Sequence, residues 1–159
     1  MKCGCCGKDI GEIAFDKSFK LPDHIWSLSE SEREQRAQID SDLCCLDERY
    51  FIRGVAYIPI HNSDQSYGWG IWVEVPEANF FDYVKSYESD NSYKPRFSGI
   101  VANVIRSYEN TIGLEVEVQL GNETQRPTFF FKTPNHLLTR EQAAGITLEK
   151  VHSFSGNEG

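Results

Sequence analysis

Five cysteines are the side chains of this sequence best suited to chemistry: Cys3, Cys5, Cys6, Cys44 and Cys45. Cys3 and Cys6 have the C-x-x-C spacing that lets two thiolates from one tight turn grip a single ion. Cys44 lies far along the chain, at the head of an expected strand, and could close a site from the other side. Cys45 follows it directly, and successive strand residues point to opposite faces, so the pair is not expected to share one ion. The set Cys3, Cys6 and Cys44 suits zinc, with four ligands in a structural site or three plus water in a catalytic one. His24, Asp42 and Cys5 are open as the fourth ligand. The competing reading is that these thiols bind nothing, because a strong zinc signature has two C-x-x-C pairs. Cysteine also packs as a small hydrophobe. A redox dithiol would want a thiolate at a helix N-terminus, and no helix is expected after Cys6.

Arg53 and His136 are the other candidates. Arg53 falls inside an apolar run, where an unpaired charge is expensive. It is expected to reach water, a bound anion, or a carboxylate such as Glu74 on the neighbouring strand. His136 follows Pro134-Asn135 in a loop before a helix and titrates in the range useful to a general base. It has no recognisable nucleophile partner, so a capping or packing role competes with catalysis. His24, His61 and His152 stand alone and are expected to be solvated. Gly68-Trp69-Gly70 lacks the third glycine and the following helix of a dinucleotide-binding turn. Trp69 and Trp72 should point to opposite faces of one strand.

The elements that must position these groups are mostly strands. Ser29-Glu-Ser-Glu32 has the form of a capping box and opens a short polar helix through about Gln38. Leu43 to Leu46 and Tyr50 to Ile60 read as strands, the second apolar on both faces and ended near Pro59. His61 to Ser66 is a polar turn, and Tyr67 to Val75 is the second arm of a hairpin. Pro76 then opens an amphipathic helix through about Tyr87. Phe97 to Ile105 is a strand. Thr111 to Leu120 alternates cleanly, with Leu114, Val116, Val118 and Leu120 inward. Pro127 to Lys132 returns as a strand, Thr139 caps a last short helix, and the segment from Ser153 onward is expected to fray. Strands follow one another without strand–helix–strand alternation. The expected fold is therefore α+β: a mainly antiparallel sheet with two or three short helices packed on it and an N-terminal cysteine knuckle at residues 1–10.

The 159 residues fit one domain. The net charge of −8, with a pI of about 5.0, argues against nucleic acid or an anionic membrane surface as partner, since both require a basic face. No apolar run approaches the roughly 18 residues of a membrane span, and the first residues do not read as a signal peptide. A cytoplasmic protein is expected, in which clustered cysteines point to metal or redox chemistry rather than disulfides.

Several short motifs occur in order: Cys5-Cys6-Gly7, Asp42-Leu43-Cys44, Phe51-Ile52-Arg53-Gly54, Ile58-Pro59-Ile60, Trp69-Gly70-Ile71-Trp72-Val73, Arg126-Pro127, and His136 through Gly145-Ile146-Thr147. Together they resemble a bacterial family catalogued as a domain of unknown function, number 2199. The resemblance implies a bacterial cytoplasmic protein without an assigned activity. It also implies a histidine shortly after the first cysteine pair, where this chain has Ile10. Two functional classes follow. One is a small binding or interaction module, with an optional zinc staple and an acidic surface suited to a basic protein partner. The alternative is a metal-assisted hydrolase with Cys3, Cys6 and Cys44 as ligands and His136 or a carboxylate as base.

Overall fold

Two long strands rich in β-branched and aromatic residues organise the molecule, β4 (Arg49–Pro59) and β5 (Ser66–Val75). They form the expected hairpin, in register from Tyr50↔Val75 to Pro59↔Ser66. Asn62 takes a left-handed φ of 58° in the turn, a conformation its short polar side chain tolerates. The computed structural model describes residues 16–157. The cysteine knuckle expected at residues 1–10 lies outside that range.

Both long strands exceed what one sheet edge uses, and each divides its outer edge between two neighbours. β4 pairs over its first half with β3 (Leu43–Leu46), which pairs in turn with β2 (Ala37–Ile39). Further along, Val55 of β4 meets Thr128 of β8 (Thr128–Phe131) in parallel, and Val55 N–H donates to the Pro127 carbonyl at 2.9 Å. β5 pairs near its start, in parallel, with β1 (Asp16–Ser18), and near its end with β6 (Phe97–Val101). β6, β7 (Glu115–Gln119) and β8 complete an antiparallel run. The ring β4-β5-β6-β7-β8 therefore closes on itself.

This corrects the expected α+β architecture. The sheet is mixed and closed into a five-strand barrel with extra strands, rather than a mainly antiparallel sheet with two or three short helices packed on it. Alternation predicts that a strand has two faces, but not that its far edge returns to a strand more than seventy residues away. The closure depends on Gly54. A Cβ there would stand 2.4 Å from the Pro127 carbonyl oxygen and 2.7 Å from Cζ of Phe129, so only glycine lets β8 approach.

β5 is buried on both faces, whereas the outer face of β4, expected to be covered as well, opens toward the turn, where Tyr57 is 51% exposed. Ile52, Ala56, Ile58, Trp69, Ile71 and Val73 fill the barrel core with Val116, Val118 and Phe129. Phe51 and Trp72, of opposite parity, join Ile25, Cys44, Leu46 and Ala102 in a second, smaller core outside the ring. Among the described residues there are five helices: α1 (Asp23–Trp26), α2 (Glu30–Arg36), α3 (Glu77–Lys85), α4 (Leu137–Ala144) and α5 (Leu148–Asn157). The Ser29 capping box opens α2 as expected, with Glu32 N–H donating to Ser29 Oγ at 3.2 Å. The helix stops at Arg36, because Ala37 turns extended to enter β2. α4 is capped by His136 and not by Thr139, whose hydroxyl donates to the Thr133 carbonyl. Residues from Ser153 onward, expected to fray, continue α5 to Asn157. Phe154 is 1% exposed and packs on Tyr67 and Trp69.

Candidate functional site

Of the expected metal ligands, Cys3 and Cys6 lie outside the described residues. Cys44 is buried in the second core, and its Sγ lies 3.9 Å from the Asp40 carbonyl oxygen. Burial pushes its thiol up to about 11, disfavouring the thiolate that metal binding needs. Cys45 faces the other way, toward the barrel core. Two of the residues left open as fourth ligand are otherwise engaged. His24 stacks on Phe51, with ring centres 5.7 Å apart, and burial lowers its pKa. The Asp42 carboxylate accepts from Tyr87 Oη at 2.5 Å and from Arg126 Nε at 2.9 Å. Among the described residues no group of three His, Cys, Asp or Glu side chains is placed to hold a metal ion.

Arg53 does not pair with Glu74. The strand register sets Phe51 opposite Glu74 and Arg53 opposite Trp72, so Glu74 is taken bidentately by Arg49 at 2.6 and 3.0 Å. The Arg53 guanidinium instead lies 5.9 Å from the Trp72 ring centre and donates to the Ser41 carbonyl at 3.2 Å. Its pKa is lowered, first by burial and then by the nearby Arg126. His136 belongs elsewhere. Its Nδ1 accepts from Leu138 N–H and its Nε2 lies 2.7 Å from the Glu109 carbonyl oxygen. The carbonyl fixes the proton on Nε2, and both ring nitrogens are thereby committed to structure. Arg53, Trp72, Asp42 and Arg126 gather at one place, and His136 does not join them.

A feature that motif reading missed lies between β2–β3 and α3. A groove of about 510 Å³ runs there, floored by Leu43, Cys45 and Tyr50 and flanked by Ile39, Phe81 and Val84. These last three are 49%, 43% and 41% exposed. Phe80 and Tyr83 turn inward from the same helix. The sequence did carry a signal, since the doublets Phe80-Phe81 and Tyr83-Val84 are too wide for a single buried stripe. The rim is acidic: Asp40 and Asp47 line it, and Glu77 acts on the Tyr50 phenol, whose pKa rises chiefly through burial. Arg36 is the cation of this wall and is already paired to Asp47 at 2.7 Å. Further along α3, Tyr83 and Tyr87 line a second depression with Asp42, Glu88 and Glu123.

A small mixed barrel with an outlying sheet and an open apolar groove is the class that this geometry defines. The chain belongs to a family described as uncharacterised protein conserved in bacteria (DUF2199), whose profile matches residues 2–146. No curated protein and no solved structure matches it. No helix among the described residues is long and apolar enough to cross a membrane.

Proposed function

We propose that the chain is a recognition module that docks a basic, amphipathic segment of a protein partner in the groove between β2–β3 and α3. The observation that carries this reading is the pair Phe81 and Val84, held apolar and open on α3, whose inner residues Phe80 and Tyr83 already complete the core, with the exposed Ile39 at the β2 edge of the groove. Contiguous exposed apolar surface with a polar rim is the usual mark of a docking site. The acidic rim selects a basic occupant and speeds its encounter, which makes the association sensitive to salt.

The test is a fluorescence-anisotropy titration with an amphipathic leucine–lysine helical peptide, beside a scrambled peptide of the same composition. Wild-type protein binds the amphipathic peptide more tightly, and Phe81→Asp weakens it by roughly tenfold or more, the scale of losing one central contact. Tyr93→Asp, at a residue 78% exposed and outside the groove, leaves binding intact. Equal affinity for both peptides, or indifference to Phe81→Asp, overturns the reading.

The metal-assisted hydrolase draws less support. Cys44 would have to leave the second core and lose a proton that burial holds, and His136 is engaged through both nitrogens. A structural zinc at Cys3, Cys6 and Cys44 is a separate proposal. Elemental analysis of protein purified without chelator tests it, and zinc that persists in Cys3→Ser removes that ligand set.

A further inference from the structure

The opposite end of the β4–β5 hairpin carries a cavity of different character. β1, the residues that follow it, α1 and the loop after β6 enclose about 460 Å³ there, within the usual range of small-ligand pockets, roughly 300–1,000 Å³. Phe19, Leu21 and Val104 supply apolar wall, Trp26 an aromatic face, and Lys20 and Arg106 positive charge.

Trp26 is 60% exposed, whereas Trp69 and Trp72 are fully buried. Its backbone is rigidly held. Ile25 beside it is fully buried, and Asp23 N–H donates to the Ala102 carbonyl at 2.8 Å. Arg33 lies 5.4 Å from the centre of the indole and donates to the Ile25 and Trp26 carbonyls at 3.1 and 2.6 Å. One side of the ring is thus braced by a cation that is itself tied down. An aromatic fixed in this way loses little freedom when a ligand stacks on it.

The charges point the same way. The chain carries 24 acidic and 16 basic side chains, and Arg36, Arg49, Arg96, Arg126, Lys94, Lys132 and Lys150 each meet a carboxylate. Lys20 and Arg106, like Lys85 and Arg140 elsewhere on the surface, have no side-chain hydrogen bond or ion pair among the described residues, despite the excess of acids, and these two converge on one cavity. Lys17, also on the cavity wall, has a partner of its own. Asp23 is a carboxylate of this wall, and its oxygens are turned to other donors. Oδ1 accepts from Asn103 Nδ2 at 3.0 Å and Oδ2 from Val104 N–H at 2.9 Å.

We propose that this cavity binds a small organic anion with a planar ring, of the nucleoside monophosphate class. Its ring stacks on the free face of Trp26, and its phosphate lies between Lys20 and Arg106. Arginine and lysine are the side chains that take phosphate best. Stacking on an exposed aromatic supplies the part of the affinity that a bare anion cannot claim. A long nucleic acid is opposed by the net charge of −8. A mononucleotide needs only the local field.

Isothermal titration calorimetry with AMP, adenosine and inorganic phosphate as separate probes tests this, with tryptophan fluorescence as the reporter of position. AMP is expected to bind saturably and to quench the exposed tryptophan. It should bind at least tenfold more tightly than adenosine or inorganic phosphate. Trp26→Ala and the Lys20→Ala/Arg106→Ala double variant should each weaken AMP roughly tenfold. All three positions lie on the surface, and a thermal melt confirms that the variants fold. Phe81→Asp, in the groove, should leave AMP binding unchanged, so this site and the docking groove stand or fall separately. Absence of saturable AMP binding overturns the proposal. So does inorganic phosphate that binds as well as AMP, and so does an affinity untouched by Trp26→Ala.

Discussion

Replacing Gly54 with alanine tests the closure on which the barrel depends. The added methyl would lie 2.4 Å from the Pro127 carbonyl oxygen and within 2.9 Å of two ring atoms of Phe129. The ring can swing aside, but the oxygen is fixed, because it accepts the Val55 N–H at 2.9 Å. The methyl is housed only if β4 and β8 separate, and the pair Val55↔Thr128 is what joins them. Overpacking of this kind costs about 1–3 kcal/mol. The unfolded chain returns roughly 0.4–1 kcal/mol of that, since alanine has less freedom to lose than glycine. The net loss is about 1–2 kcal/mol, which for a chain of this length lowers the melting temperature by roughly 2–8 °C. Urea and thermal melts followed by tryptophan fluorescence measure it, with Gly68→Ala as reference. At Gly68 the nearest obstacle is the movable Cγ1 of Val55 at 3.2 Å, and little change is expected. If Gly54→Ala lies within about 0.5 kcal/mol of Gly68→Ala, the argument that glycine is required at the seam is wrong.

Alkali should destabilise the fold. Burial raises the Cys44 thiol to about 11 and the Tyr83 phenol to about 12, and Tyr87 and Tyr108 also rise. The unfolded chain releases these protons from about pH 8.5 upward, while the folded state keeps them. The stability they contribute is complete below that pH and is lost as pH rises through the folded values. Urea midpoints at about pH 8 and about pH 10.5 should therefore differ, and a flat profile refutes the assignment. The second test concerns Glu141, a nearly buried carboxylate that accepts from Tyr108 Oη at 2.5 Å and pairs with Lys150. Glu141→Ala strands both partners and should cost about 2–4 kcal/mol, below the fully buried limit because Lys150 retains some contact with water. Glu141→Gln keeps an acceptor for Tyr108 and should cost less. Chemical denaturation of the two variants checks the order, and a loss under about 0.5 kcal/mol for alanine contradicts it.

What could be read from the sequence was what local pattern controls. The β4–β5 hairpin, the Ser29 box and the inward set Leu114, Val116, Val118 and Leu120 follow from alternation, caps and turn residues, each expressed within a few positions. The partners were not readable. Arg53 and Arg49 are two pleats apart on one strand, and only the register with β5 decides which of them meets Glu74. The apolar pattern carries β6 through Ile105, but the strand ends at Val101, because the Asn103 side chain replaces the backbone and accepts Trp72 N–H at 2.8 Å. A side chain that imitates a strand leaves the apolar pattern unchanged. The position of Cys44 was unreadable for a related reason: a thiol in a metal site and a thiol in a core are the same letter, and Cys44 sits among Ile25, Phe51 and Trp72.

The candidate sites sit where the barrel disposes of surplus strand. β7 and β8 have five and four residues, whereas β4 and β5 have eleven and ten. The ring uses only part of each long strand, and the remainder would present a bare edge able to pair with another chain. On β4 that edge is taken by β3, which β2 extends, and on β5 by β1. The outermost strands, β1 and β2, have three residues each, and β1 carries Asp16 and Lys17. Short, charged edges of this kind resist further pairing. These additions are also the walls on which the proposals rest: β2 and β3 bound the groove, and β1 leads into the cavity beneath Trp26. Substitutions in the ring should therefore act on stability, and substitutions in the added strands and in the exposed face of α3 should act on what is bound.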